Sequence, residues 1–337
     1  MASLLVVKPG MQTTVQDRGR WGWQSRGVPV AGPMDPWSHR VANALVGNSP
    51  DAATLEATLV GPVVGIDAER VMAVVGAQFE LTIDGQPVPQ DAPVVASAGS
   101  CLRFGRRLRG TRAYLAVAGG IAVPPTLGSR STHLASAMGG LDGRALKAGD
   151  RLPLGNPSSR GSARSVERST PSARRWGPPS GGPFSGLTVG PTGGQTATVR
   201  VLPGPHQGRF AAGALDVLQS ASYVIGHNSD RMGFRLEGPA LLHARSTGSS
   251  AEFISDATPL GSIQVPGSGQ PLLLMADRQT TGGYPTIAIV ITADIDLAGQ
   301  LGPGDSLSFV ACSLGEAMAA LVAQERALMA IESEAAP

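Results

Sequence analysis

QPLLLMADRQTTGGYPTIAIVIT, residues 270 to 292, sets the polar run DRQTTGGYP between two apolar ones. PLLLMA and TIAIVIT are short, apolar and, in the second case, rich in β-branched residues, so each reads as a buried strand. A carboxylate, a guanidinium, an amide, two hydroxyls, two glycines and a tyrosine then occupy the turn between strands. Such a loop belongs at the mouth of a sheet or barrel, where small-molecule sites form.

Outward from this stretch the second half repeats the pattern. ATVRVLP, SASYVIG, GSIQVPG and SLSFVAC read as further strands. LGEAMAALVAQERALMAIE, from residue 314, has the composition of a helix. The first half opens on the strand LLVVKPG. VMAVVGAQFELTIDGQPVP gives two strands about a turn at Asp84-Gly85, and APVVASAGSCLRFG and TRAYLAVAGGIAV continue the sheet. DPWSHRVANALV, 35 to 46, places Trp37, Val41, Ala44 and Leu45 on one helical face, and Gly47 supplies a stop. The expected fold is mainly β: two β-barrel domains, a few short helices and a C-terminal helix. The boundaries expected are 1–155 and 196–312 for the barrels, a Ser/Arg/Pro/Gly-rich linker over 156–195, and a helical tail over 313–337. No solenoid repeat is visible.

Composition narrows the function. The 337 residues carry a net charge of +2, which argues against nucleic acid as a general partner. The only lysines are Lys8 and Lys147. The chain therefore has no G-x-x-x-x-G-K-[ST] loop, no lysine between methionines for biotin attachment, and no Ser-Ser-Lys amidase arrangement. H-E-x-x-H, paired C-x-x-C and G-x-S-x-G are absent too, and no metal site is expected. Cys101 and Cys312 read as two free thiols. MASLLVVKPGMQ lacks a basic region and a long apolar run, and no stretch reaches membrane-spanning length, so a cytoplasmic location with no membrane association is expected.

Chemistry is left to carboxylate, arginine, amide, hydroxyl and tyrosine, and these gather in five stretches. They are GMQTTVQDRGRWG (10–22), VPVAGPMD (28–35), GSRST (128–132), HNSDRMGFRLEG (227–238) and DRQTTGGYP (277–285). Asp-Arg neighbours are commonly surface ion pairs, and Gly-flanked Ser and Thr commonly close turns. SDRMG and DRQTTGGYP nevertheless both put Asp-Arg at a strand edge with a glycine close behind, which lets a ligand approach the backbone. Tyr284, held extended by Pro285, aims a phenol at the same place. Such groups suit a small polar molecule with amide or carboxylate groups: arginine holds a carboxylate, and Gln and Thr read an amide.

The strings VKPGMQTTVQDRGRWG, GVPVAGPMD, LEATLVGP, LAVAGGI, LGSRST, SDRMGFRLEGP, GSIQVPGSGQP and ADRQTTGGYP, in this order, make the chain similar to the biotin-dependent carboxyltransferase family. That family includes the 5-oxoprolinase C-subunit, also known as allophanate hydrolase subunit 2 or KipA-like. The resemblance runs from about residue 5 to about 310, outside the linker; Phe234 stands where the family frequently has Tyr. It implies that both barrels are cyclophilin-like, and it implies a KipI-like partner (the 5-oxoprolinase B-subunit, or allophanate hydrolase subunit 1). The first function it implies is ATP-dependent opening of 5-oxo-L-proline to L-glutamate, with a third subunit. ATP is then used by the complex and not by a P-loop of this chain. The second is carboxyl transfer from carboxybiotin to urea. The third is regulatory sequestration of a KipI-like kinase inhibitor. For the enzyme, Asp230, Arg231, Asp277 and Tyr284 are the expected catalytic residues. Arg231 is expected to hold the substrate carboxylate and an aspartate to handle the ring-nitrogen proton. Asp17, Asp35, Arg130, Ser131, Ser229, Gln264, Gln279, Thr280, Thr281 and Gly283 are expected to bind substrate.

Overall fold

A computed structural model describes residues 2–158, 187–189, 194–244 and 254–334. The expected linker, 156–195, lies mostly outside the described residues. The chain folds into two mainly β units, and these interleave where contiguous domains were expected. Residues up to 20, the described part of 31–182 and the stretch from 325 form the first; 21–30 and the described part of 183–324 form the second.

The first unit contains β1 (Ser3–Lys8), β2 (Gln12–Gln16), β3 (Thr54–Thr58), β4 (Val63–Ile66), β5 (Arg70–Ile83), β6 (Gln86–Pro87), β7 (Val94–Ala96), β8 (Cys101–Val117) and β9 (Arg151–Pro153). They form one sheet along β2-β3-β8-β4-β1-β9, with β5 paired to β8, β6 and β7. No pairing closes it among the described residues, and the unit is a half-barrel. β5 shows how the sequence dictates the layers. Its run VMAVVGA is buried throughout, whereas QFELT alternates. The continuous part is covered on both faces. Met72 and Val74 enter the interior with Leu4, Leu55, Leu102 and Leu115. Val71, Ala73 and Val75 face Trp37, Val41 and Leu45 of the helix α1 (Pro36–Leu45). The β5–β6 turn is built by Asp84 and Gly85, at φ 50° and 81°. This left-handed pair suits a tight hairpin and was legible as Asp-Gly.

The second unit contains β10 (Leu187–Val189), β11 (Gln195–Pro203), β12 (Ser222–Ile225), β13 (Gly233–Glu237), β14 (Asp256–Ala257), β15 (Ser262–Gln264), β16 (Leu272–Leu274), β17 (Thr281–Gly282), β18 (Thr286–Val290) and β19 (Ser306–Ala311). The order β11-β18-β15-β16-β13-β12-β19 returns to β11 through a parallel β11–β19 pairing, which closes a seven-stranded barrel. Here the strands alternate, as one-sided burial requires. Ala197, Val199 and Val201 of β11 point inward, while Thr196 and Thr198 face out. Helices α2 (Ala214–Ser220) and α3 (Ile295–Gly299) are short. The long α4 (Leu314–Glu334) starts in the second unit and finishes in the first. In the first, Leu328 and Ile331 pack with Trp37 and Val41, and Arg40 forks to Glu325 at 2.8 Å and Glu332 at 3.0 Å.

Candidate functional site

β13 and β16 run antiparallel with Gly233 opposite Leu274. The residues entering β13 and those leaving β16 therefore lie side by side at one end of the pair. The backbone continues the contact: the Asp277 N–H donates to the Arg231 carbonyl at 2.8 Å, and that of Met275 to Met232 at 2.9 Å. This is why two stretches 46 positions apart meet. Arg231 Nε donates to Asp277 Oδ2 at 3.0 Å and Nη2 to Oδ1 at 2.9 Å. Both side chains are 4% exposed. A two-pronged pair with this burial is held by mutual need, since removing one partner strands the other charge. Arg231, expected to hold a substrate carboxylate, gives these two donors to Asp277 instead.

The remaining expected residues of the second unit divide by exposure. Asp230 is exposed, and its Oδ1 accepts the Met232 N–H at 2.8 Å; Ser229 Oγ accepts the Arg235 N–H at 2.9 Å. These contacts close the turn into β13. Tyr284 is 47% exposed, and Thr281 and Gly283 are also exposed. Gln279 and Thr280 are half-buried and bind Thr258. The Thr258 hydroxyl donates to the Gln279 carbonyl, and the Thr258 N–H to that of Thr280 at 3.1 Å. Gln264 is 2% exposed on β15. Arg278, absent from the residues expected to form the site, is 9% exposed and donates from Nε to the Thr258 carbonyl at 2.8 Å. Its signal was its place in DRQTTGGYP, obscured because Asp277 looks like its natural partner. A separate cleft of about 380 Å³ is lined by Gln207, Phe210, Ala214, Asp216 and Ile287 among others, and by none of the expected residues.

Asp17, Arg130 and Ser131 form a second set, inside the first unit. Asp17 accepts from Ser129 Oγ at 2.5 Å, Ser131 Oγ at 2.7 Å, the Arg130 N–H at 2.5 Å and the Gly19 N–H at 3.0 Å. Burial pushes this carboxyl up, but the four donors outweigh it and hold it below the ordinary carboxylate range. Arg130 turns its Nε to the Val123 carbonyl at 2.7 Å. GSRST is thus folded around an aspartate, with no need of a bound anion. Asp35, expected to touch substrate, is fully buried and caps α1: Oδ1 accepts the Ser38 N–H at 2.8 Å and Oδ2 the Ser38 hydroxyl at 2.6 Å. Beside it, Tyr114 donates to Glu56 at 2.7 Å and accepts the Asp35 N–H at 2.8 Å. Burial and the neighbouring Glu56 raise this phenol well above its usual value. His39, fully buried, bridges Thr54 and the Pro50 carbonyl at 3.0 and 3.2 Å; burial pulls it down to about 4 and keeps it neutral. Among the described residues no three His, Cys, Asp or Glu side chains gather as metal ligands.

The profile of the family "carboxyltransferase domain, subdomain A and B" matches residues 26–311. The chain belongs to the carboxyltransferase domain family. It is 39% identical to the 5-oxoprolinase C-subunit of Escherichia coli K12 over 323 residues, 96% of either chain. It is 33% identical to urea amidolyase of Saccharomyces cerevisiae, covering 97% of this chain but 18% of that one. The urea carboxylase structure of Kluyveromyces lactis superposes with a TM-score of 0.85 at 34% identity, over 99% of this carboxyltransferase-domain chain and 29% of the other. Among the described residues no helix is long and apolar enough to cross a membrane.

Proposed function

We propose that this chain is the C-subunit of an ATP-dependent 5-oxoprolinase, which opens 5-oxo-L-proline to L-glutamate together with a KipI-like B-subunit and a third subunit. The observation that carries the reading is the end-to-end match to the Escherichia coli protein: 96% of both chains align. The urea amidolyase match instead spans 18% of a much longer enzyme. The site is consistent with a ring amide bearing a carboxylate, because arginine, glutamine and threonine side chains cluster about the 277–282 loop. The chain has no G-x-x-x-x-G-K-[ST] sequence, so ATP is assigned to another part of the complex. Within this site Asp277 holds Arg231 in place, and the exposed Tyr284 and Asp230 are the groups able to reach a substrate proton. Co-expression with the two partner subunits, followed by an assay for glutamate from 5-oxoproline and ATP, tests the proposal. Glutamate formed only when all three chains and ATP are present is the expected result; none formed by the assembled complex refutes it.

A second reading, carboxyl transfer from carboxybiotin to urea, is favoured by the TM-score of 0.85 to the urea carboxylase structure. It requires a biotin carrier supplied by another chain or domain. Loss of activity on adding avidin to the native complex would support it.

A further inference from the structure

Arg278 is a cation without an anion. It is 9% exposed, and its one hydrogen bond among the described residues runs from Nε to a neutral carbonyl, Thr258 O. Its neighbour Asp277 faces Arg231 instead, and no other carboxylate among the described residues pairs with it. Burial accordingly pulls the guanidinium down to about 10, which leaves it charged at neutral pH. A buried charge left so is retained against a desolvation cost, and a ligand of opposite charge removes that cost.

A second observation lies next to it. Gln264 is 2% exposed, and its Oε1 is buried with no hydrogen-bond donor among the described residues. Around Gly282 three side chains converge: a Cβ there would stand 2.8 Å from Gln264 Nε2, 2.9 Å from Thr258 Cγ2 and 3.1 Å from Gln279 Nε2. Thr258 ties this group to Arg278, whose Nε it accepts, and to Gln279, whose carbonyl it binds. Thr258 thus stands between the Arg278 guanidinium on one side and the Gln264 and Gln279 amides beside Gly282 on the other.

We propose that Arg278, Gln264 and Gln279 form the receptor for a small molecule that carries a carboxylate beside a ring amide. Arg278 takes the carboxylate, Gln264 Oε1 accepts the ring N–H, and Gln279 donates to the ring carbonyl. The assignment rests on the function proposed above and moves the carboxylate contact from Arg231, which Asp277 occupies, to Arg278.

The test uses the assembled complex, with 5-oxo-L-proline and its neutral analogue 5-oxo-L-prolinamide as probes in direct calorimetric binding. The wild type is expected to prefer the acid, and Arg278→Gln to weaken the acid by about tenfold to a hundredfold while leaving the amide unchanged. Equal affinity of the wild type for acid and amide overturns the inference, as does an Arg278→Gln complex that still prefers the acid, or no binding of either probe. Should Arg278→Gln fail to assemble, Gly282→Ala serves. Its methyl crowds the Gln264 and Gln279 amide nitrogens and Thr258 Cγ2, so it is expected to weaken the acid about tenfold in a complex that still assembles; unchanged affinity sinks the idea. Absence of glutamate formation by the wild type would refute the proposed function separately from these binding results. Carboxybiotin presents related chemistry, a carboxylate on a ring nitrogen beside a ureido carbonyl. An Arg278-dependent activity that avidin blocks assigns the carboxylate to carboxybiotin, and one that avidin leaves intact assigns it to 5-oxoproline.

Discussion

Asp17 is buried and Asp91 half-buried, and they respond oppositely. Four donors hold Asp17 down. Asp91 has none for its carboxylate among the described residues; only its N–H is engaged, to the Val74 carbonyl at 2.9 Å. Burial alone raises its carboxyl to about 7. Below the ordinary value near 3.8 both folded and unfolded chains keep the proton, and the residue is neutral to stability. Between there and about 7 the unfolded chain ionises first, so folding is penalised increasingly as pH rises. Asp91→Asn is therefore expected to raise the Tm at about pH 7 and to leave it unchanged near pH 3.5. At φ 58° an asparagine is well tolerated. Thermal melts of both proteins across that range check it, and an equal shift at both ends contradicts it. Legibility at this scale was uneven. Arg231 and Asp277 stood out from residue type and context, whereas Gln264 was named only through the family resemblance. Arg278 was not named, because neighbouring opposite charges look self-sufficient, whereas the turn after Met275 sends Asp277 to Arg231 and Arg278 to Thr258. Asp35 was misjudged for a related reason: an acid at a helix start serves the helix before it serves a ligand.

The elements were better foretold where one period dominates. The helix at 36–45 and the Asp84-Gly85 hairpin stood out because apolar spacing and turn chemistry agree. PLLLMA is strand only over Leu272–Leu274, because Met275 onward turns to meet Met232 and Arg231. The covering of α1 by α4 was not visible, since packing across so long a separation leaves no local trace. That contact is open to test. Leu328 is 3% exposed among Trp37, Val41 and Leu45. Leu328→Ala should cost the first unit about 2–5 kcal/mol, read as a lower urea midpoint at unchanged slope. A loss below about 0.5 kcal/mol would mean that α4 rests on α1 without supporting it.

For the molecule as a whole, the mainly β, two-unit plan was legible, because many short apolar runs and turn residues leave few other architectures open. Its interleaving was not. A chain ending at Gln324 keeps the closed barrel intact but leaves the Trp37 face of the first unit bare. Hydrogen exchange should then speed up in α1 and β5 while β11 and β19 stay protected; uniform loss of protection would show the two units unfolding as one. Order of synthesis adds a further demand. Glu332 follows Arg40 by 292 positions, so a ribosome delivers α1 long before its covering helix. At usual elongation speeds the delay is about 15 to 60 s. For that interval the nascent chain carries an oily ledge at Trp37, Val41 and Leu45 without its native cover.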